Sequence, residues 1–165
     1  MDIRLATPAD HERIMQIYRI AQDYMIASGN PNQWGHAYPE AELVKYDIAM
    51  KVCRVLYDEE GLHGVFALLK DPEPTYTFIE GGKWLNDEPY ITVHRVASDG
   101  KRHGIVRCVM DYAKSLSDNV RVDTHEQNLT MQKQREKHSF KRCGIIYLKN
   151  GASRIAYQWT RENSL

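Results

Sequence analysis

The 165-residue chain lacks an excess of either charge: Lys and Arg together number 22, and so do Asp and Glu. A balanced charge gives no global field to attract nucleic acid or an anionic membrane, so any anion site has to be local. Cysteine is scarce. Cys53, Cys108 and Cys143 stand far apart with no CxxC spacing, which argues against a zinc knuckle or a disulfide framework and suits a reducing compartment. Long apolar runs are missing as well. The longest, VFALL at 65–69, is a fraction of the ~20 residues that a membrane span requires. The opening MDIRLATPADHERI carries no apolar leader core. The expectation is an untargeted cytoplasmic protein with no membrane partner. Repeats, low-complexity tracts and Gly/Ser/Pro linkers are also absent, which leaves one domain over residues 1–165.

What is present reads as mixed α and β. IRL at 3–5 is a short strand. Thr7-Pro8 starts a helix whose Ile14, Ile17, Tyr18, Ala21 and Met25 recur at helical spacing up to Gly29. GNPNQWGHAYP is rich in turn formers yet carries Trp34 and Tyr38, and residues 40–50 form a second short helix. VCRVLYDEEGLHGVFALL reads as a hairpin turning at Asp58–Gly61, and the alternating run 90–97 is a fourth strand. Ile105, Cys108, Val109, Tyr112 and Leu116 mark an amphipathic helix from Gly104. VRVDT is a fifth strand, 128–137 a further helix, and RCGIIYL with RIAYQWT a final pair around Asn150-Gly151. A helical crossover between the fourth and fifth strands makes those two parallel.

DGKRHGI joins the fourth strand to its helix. A glycine-containing turn at that place aims N–H groups and the positive end of the helix dipole outward, which is a ready anion site. Lys101, Arg102 and His103 add charge there. On local sequence alone a solvated turn is the more economical reading, because single-glycine motifs recur widely. Both GxxxxGK[ST] and GxGxxG are absent, which excludes a P-loop and a dinucleotide fingerprint.

The wider pattern resembles the GNAT superfamily of acyl-CoA-dependent N-acetyltransferases. YITVHRVASDGKRHGIVRCVMDYAK is similar to that superfamily's fourth strand, [QR]xxGx[GA] loop and following helix. Lys101 falls at the [QR] position, Gly104 at the glycine and Val106 at [GA], so two of these three positions depart. DTHEQNLTMQKQREKHSFKRCGIIYL resembles the later segment in which an Asn opens a helix ending in Gly-Phe; Asn128 and Phe140 match, and Ser139 stands in the glycine's place. GNPNQW, HRVASDGK, DTHxxN and FKxCGIIYLxxGxxRIAYQ together are similar to one bacterial branch. The resemblance implies an α/β (α+β) fold, a mixed and mainly antiparallel sheet of about seven strands flanked by helices. It also implies acetyl-CoA as co-substrate and no metal. By that resemblance, Val96 and Ala97 contact the pantetheine arm, Lys101, Arg102, His103, Gly104, Ile105 and Val106 the pyrophosphate, and Asn128 completes the cofactor site. Tyr24, Trp34 and Tyr38 line the acceptor pocket, in competition with ordinary packing.

Acetyl transfer to an amine needs a free amine, a donor for the carbonyl oxygen and often an acid for the leaving thiolate. His94 is the candidate base, against the plainer reading of a structural hydrogen-bond partner. The superfamily's usual acidic Tyr position is here Arg135, expected on a solvated helix face because KQREK is polar throughout. Gln134, Arg135 and His138 replace leucines of related chains, so that helix is expected to dock loosely. Cys108 and Cys143 suit core packing rather than nucleophilic roles, and His125 suits either a site edge or a simple turn. The expected activity is direct acetyl transfer to a small-molecule or amino-acid-like amine. A non-catalytic acyl-CoA-binding or sensor domain is the alternative. No nucleic-acid partner is expected, and the exposed final strands are compatible with a homodimer.

Overall fold

The structure, a computed structural model, describes residues 1–164. In chain order the elements are β1 (Asp2–Leu5), α1 (His11–Ala27), α2 (Ala41–Ala49), β2 (Cys53–Asp58), β3 (Gly61–Leu69), β4 (Ile91–Ser98), α3 (Ile105–Leu116), β5 (Asn119–Thr124), α4 (Leu129–Lys137), β6 (Lys141–Tyr147) and β7 (Ser153–Thr160). The seven strands form one mixed sheet in the order β1-β2-β3-β4-β5-β7-β6. The crossover through α3 makes β4 and β5 parallel, with Ile91 opposite Val120 and Thr92 opposite Arg121. β7 is inserted between β5 and β6, antiparallel to both, so the edge on that side is β6 alone.

The helices start and stop for local reasons. Thr7 and Pro8 open a short 3₁₀ turn that runs into α1, where Asp10 accepts the Thr7 N–H at 2.8 Å and the Arg4 guanidinium at 2.7 and 3.0 Å. Three helices end in the same two-bond C-terminal motif, which needs a left-handed residue after the cap. At the end of α1 that residue is Gly29 (φ 91°), at α2 it is Lys51 (φ 59°) and at α4 it is Ser139 (φ 69°). In α4, Phe140 N–H reaches Arg135 O at 2.9 Å and Ser139 N–H reaches Glu136 O at 3.1 Å.

Compactness divides the chain into two units: residues 1–68 with 94–109, and 69–93 with 110 onward. The first unit's core is Ile14, Ile17, Tyr18, Val44, Ile48, Val55 and Val65, with Ala97 of β4 among them. Each such side chain removed from water contributes roughly 1.5–3 kcal/mol. In the second unit Tyr76, Ile146 and Ala156 pack with Trp84 and Tyr90. The proline-marked stretch before β4 is held there by Arg121, whose guanidinium lies 4.3 Å from the Trp84 ring centre and 4.1 Å from that of Tyr90. Among the described residues no helix is long and apolar enough to cross a membrane.

Candidate functional site

All the expected site residues except Asn128 fall in the first unit. The Asp99–Gly104 loop leaves β4 through two left-handed glycines, Gly100 (φ 77°) and Gly104 (φ 78°). A Cβ on either would meet nothing within 4 Å, so glycine is required there by backbone conformation and not by space. Ser98 Oγ accepts the Gly100 N–H at 3.0 Å, and Asp99 Oδ1 accepts that of Lys101 at 2.9 Å. Past that point, among the described residues, the amides of Arg102, His103, Gly104, Ile105 and Val106 meet no acceptor. The helix ladder begins at Cys108, whose N–H reaches Gly104 O at 2.9 Å. Five consecutive unpaired amides at the positive end of α3 can serve as a cradle for an anion.

Two expected contributors change role. The Lys101 amide is taken by Asp99, which leaves that residue only its exposed side chain. Arg102 is committed elsewhere: its Nε donates to Asp58 Oδ2 at 2.7 Å and its Nη2 to Glu60 Oε2 at 2.6 Å. Its charge is therefore matched by the β2–β3 turn, and Arg102 offers the cradle its amide. His103 is exposed, and Val106 is half-buried at the second position of α3.

Inside β4 the backbone breaks at Arg95, which has φ 55°. A non-glycine residue in this region is strained by about 1–2 kcal/mol, and three contacts hold it. Tyr18 Oη donates to Arg95 O at 2.9 Å, the guanidinium grips both Asp47 oxygens at 2.9 and 3.1 Å, and Nη1 donates to Tyr38 Oη at 3.1 Å. Burial pushes the Asp47 carboxyl up, against the pull of Arg95, and burial raises the Tyr18 hydroxyl well above its ordinary range. Trp34 stands between Tyr18 and Tyr38, with ring centres 5.7 and 6.2 Å away and both pairs edge-on. Trp34 and Tyr38 are thus brought together around Arg95. Tyr24 lies on the exposed face of α1.

Beyond the break, the Asp99 N–H donates to His63 O at 3.0 Å, and Ala97 O lies 3.4 Å from where a Cβ on Gly64 would be. Ala97 and Asp99 therefore turn their backbone groups to β3, and by strand alternation Val96 turns its own to the opposite edge. Of the two expected strand contacts, Val96 is half-buried with its backbone groups turned away from β3, while Ala97 is buried in the first unit's core. His94 is half-buried immediately before the break, within electrostatic reach of Asp47.

In the second unit Asn128 caps α4, its Oδ1 accepting the Met131 N–H at 3.0 Å. Arg135 overturns the expectation of a solvated side chain: it is 3% exposed and is the buried residue of α4. Burial lowers its pKa to about 10. Nη1 lies 3.2 Å from Met110 Sδ and Nε has no hydrogen-bond partner. The polarity of KQREK pointed to solvent, but the helix has no apolar residue at that position, so the guanidinium itself fills the contact. Cys53 and Cys143 are buried and Cys108 is partly so. Burial pushes the Cys53 thiol up to about 12 and raises Cys143, which leaves neither as a thiolate nucleophile. His125 Nδ1 accepts the Gln127 N–H at 3.0 Å, a turn contact, and burial lowers its pKa.

Arg95, Asp47, Asp99 and His63 escaped sequence reasoning. Arg95 and Asp47 are 48 residues apart and His63 and Asp99 are 36 apart, and no local pattern announces either pair.

No family model matches the sequence, and no curated protein matches it. Solved structures do. A GNAT-family acetyltransferase from Streptococcus agalactiae 2603 is 30% identical with a TM-score of 0.84, over 96% of this chain and 94% of that one. A GNAT-family acetyltransferase from Listeria monocytogenes 4b F2365 is 22% identical with a TM-score of 0.72, over 96% and 94%. The yncA protein of Salmonella typhimurium, solved with its cofactor acetyl-CoA, is 14% identical with a TM-score of 0.59, over 97% and 93%.

Proposed function

Because this chain belongs to the GNAT family of acetyltransferases, we propose that it moves the acetyl group of acetyl-CoA to the amine of a small-molecule or amino-acid-like acceptor by direct attack. The observation that carries this reading is the run of five unpaired amides from Arg102 to Val106 at the start of α3. When bound, acetyl-CoA supplies an activated thioester. The amides of Arg102–Val106 take the charge of its pyrophosphate, and the backbone groups of Val96 take the pantetheine arm. Trp34 and Tyr38 line the acceptor side. The strained carbonyl of Arg95 already receives Tyr18, so this part of β4 is fixed before any ligand arrives. His94 removes the proton that the attacking amine must lose as the C–N bond forms and the C–S bond breaks. Arg135 is the buried prop of α4 and is not the acid for the departing thiolate, whose proton comes from water or from another side chain.

A second reading, a non-catalytic acyl-CoA sensor, draws on two observations: β-branched Val106 narrows the approach to the cradle, and Arg135 stands where relatives carry an acid. Release of free thiol, followed with a thiol reagent across a panel of small amines and amino acids, separates the two. Turnover with any of them is the expected outcome. Binding of acetyl-CoA without turnover on any acceptor would contradict catalysis and favour the sensor.

A further inference from the structure

A file of charges behind the Asp99–Gly104 loop is not used by the chemistry above. His63 of β3, 3% exposed, lies between two carboxylates: Nδ1 is 2.9 Å from Asp99 Oδ2, and Nε2 is 3.0 Å from Asp58 Oδ1. Arg13 of α1 donates to the same Asp99 oxygen at 2.8 Å and to Leu62 O at 3.0 and 3.3 Å. Asp58 in turn takes Arg102 at 2.7 Å. An ionised carboxylate only accepts hydrogen bonds, so both contacts of His63 are satisfied when both ring nitrogens donate. The three carboxylates Asp58, Glu60 and Asp99 are thus interleaved with the guanidiniums of Arg13 and Arg102 and the ring of His63.

Apolar residues would stabilise the hairpin as well as a buried ion network does, so stability alone does not account for the file. What distinguishes it is where it ends. It terminates on Asp99 and Arg102, on either side of Lys101, and Asp99 Oδ1 draws in the Lys101 amide at 2.9 Å. The five unpaired amides have no internal partner to hold them, so the conformation of the loop rests on the contacts behind it. We infer that His63 is a positioning residue: it bridges Asp58 to Asp99 and thereby fixes the loop in the conformation whose amides receive a pyrophosphate, an inference that rests on the acetyl-CoA reading above.

Titration calorimetry with acetyl-CoA on the intact protein tests it, comparing wild type with His63→Gln and Asp58→Asn, and with Val55→Ala as a core variant that makes none of the network's contacts. Gln can donate to only one of the two carboxylates. Both loop-network variants are expected to bind about tenfold more weakly, as if the competent loop were populated a tenth of the time, while Val55→Ala binds as wild type does. Unchanged affinity in both network variants overturns the positioning role and leaves the cofactor reading standing. An equal loss in Val55→Ala assigns the effect to stability and also overturns it. Absence of binding by the wild type overturns the acetyl-CoA reading itself. Should His63→Gln not fold, Asp58→Asn, at the partly exposed end of the file, decides by the same comparison.

Discussion

Val106 occupies the second position of α3, among the amides that face the cradle. Its branched Cβ limits how closely a ligand approaches the backbone and lowers helix propensity at the same time. Val106→Ala relieves both. The expected result is tighter acetyl-CoA binding by a few-fold, with a melting temperature higher by roughly 1–2 °C, read by calorimetry and thermal melting. Unaltered affinity would remove Val106 from the site. Arg135 invites the opposite kind of test. Its guanidinium is buried with Nε unpartnered, and Asp123, the carboxylate that most raises its pKa, already receives Tyr76 Oη at 2.7 Å. Replacing a buried charge with an apolar side chain of similar volume is often neutral or stabilising. Arg135→Met should therefore stay within about 1 kcal/mol of wild type or exceed it, whereas Arg135→Ala leaves a cavity and loses about 2 kcal/mol or more. A loss above about 3 kcal/mol in the Met variant, measured by urea unfolding, would mean that the charge is well compensated.

At the scale of elements, the helix ends give a prediction that sequence and structure reach by separate routes. Ser139 stands where the family has glycine, and its φ of 69° is the conformation that favours glycine. Ser139→Gly should stabilise by about 1 kcal/mol, or roughly 2–4 °C. A fall in melting temperature would show that the serine side chain is needed. The β2–β3 turn carries a pH signature. Arg102, with the Glu60 amide second, holds the Asp58 carboxyl at about 2, below its ordinary value of about 3.9. A depressed folded-state value stabilises above about pH 4, and the contribution is lost as pH falls toward about 2. Between about pH 5 and about pH 2.5 the wild type should lose more stability than Arg102→Gln does; equal losses would mean that the pair is not felt in solution. Strands, helices and the hairpin were legible because period-two and helical spacing are local. The fate of Arg135 was not, because a polar helix segment reads as solvated until the surface it docks against is known. The split between Val96 and Ala97 also depends on which neighbour takes each backbone group.

Across the whole molecule, the element order and the parallel β4–β5 pair followed from the crossover rule. The insertion of β7 between β5 and β6 did not, since a final hairpin can attach to the sheet by either strand. The balanced composition, 22 basic against 22 acidic residues, recurs locally in the His63 file, where acidic and basic side chains interleave among residues up to 86 positions apart. Such matching has no sequence signature, because each partner alone looks like a surface residue. The loop was readable as a weak anion motif, whereas the unpaired state of its amides is visible only in the folded backbone. Backbone amide shifts followed by NMR during titration with acetyl-CoA report on those groups one by one. Saturable changes, largest at Arg102, His103, Gly104, Ile105 and Val106, with Val96 also shifting, are the predicted result. Saturable binding that leaves those amides unmoved would contradict it.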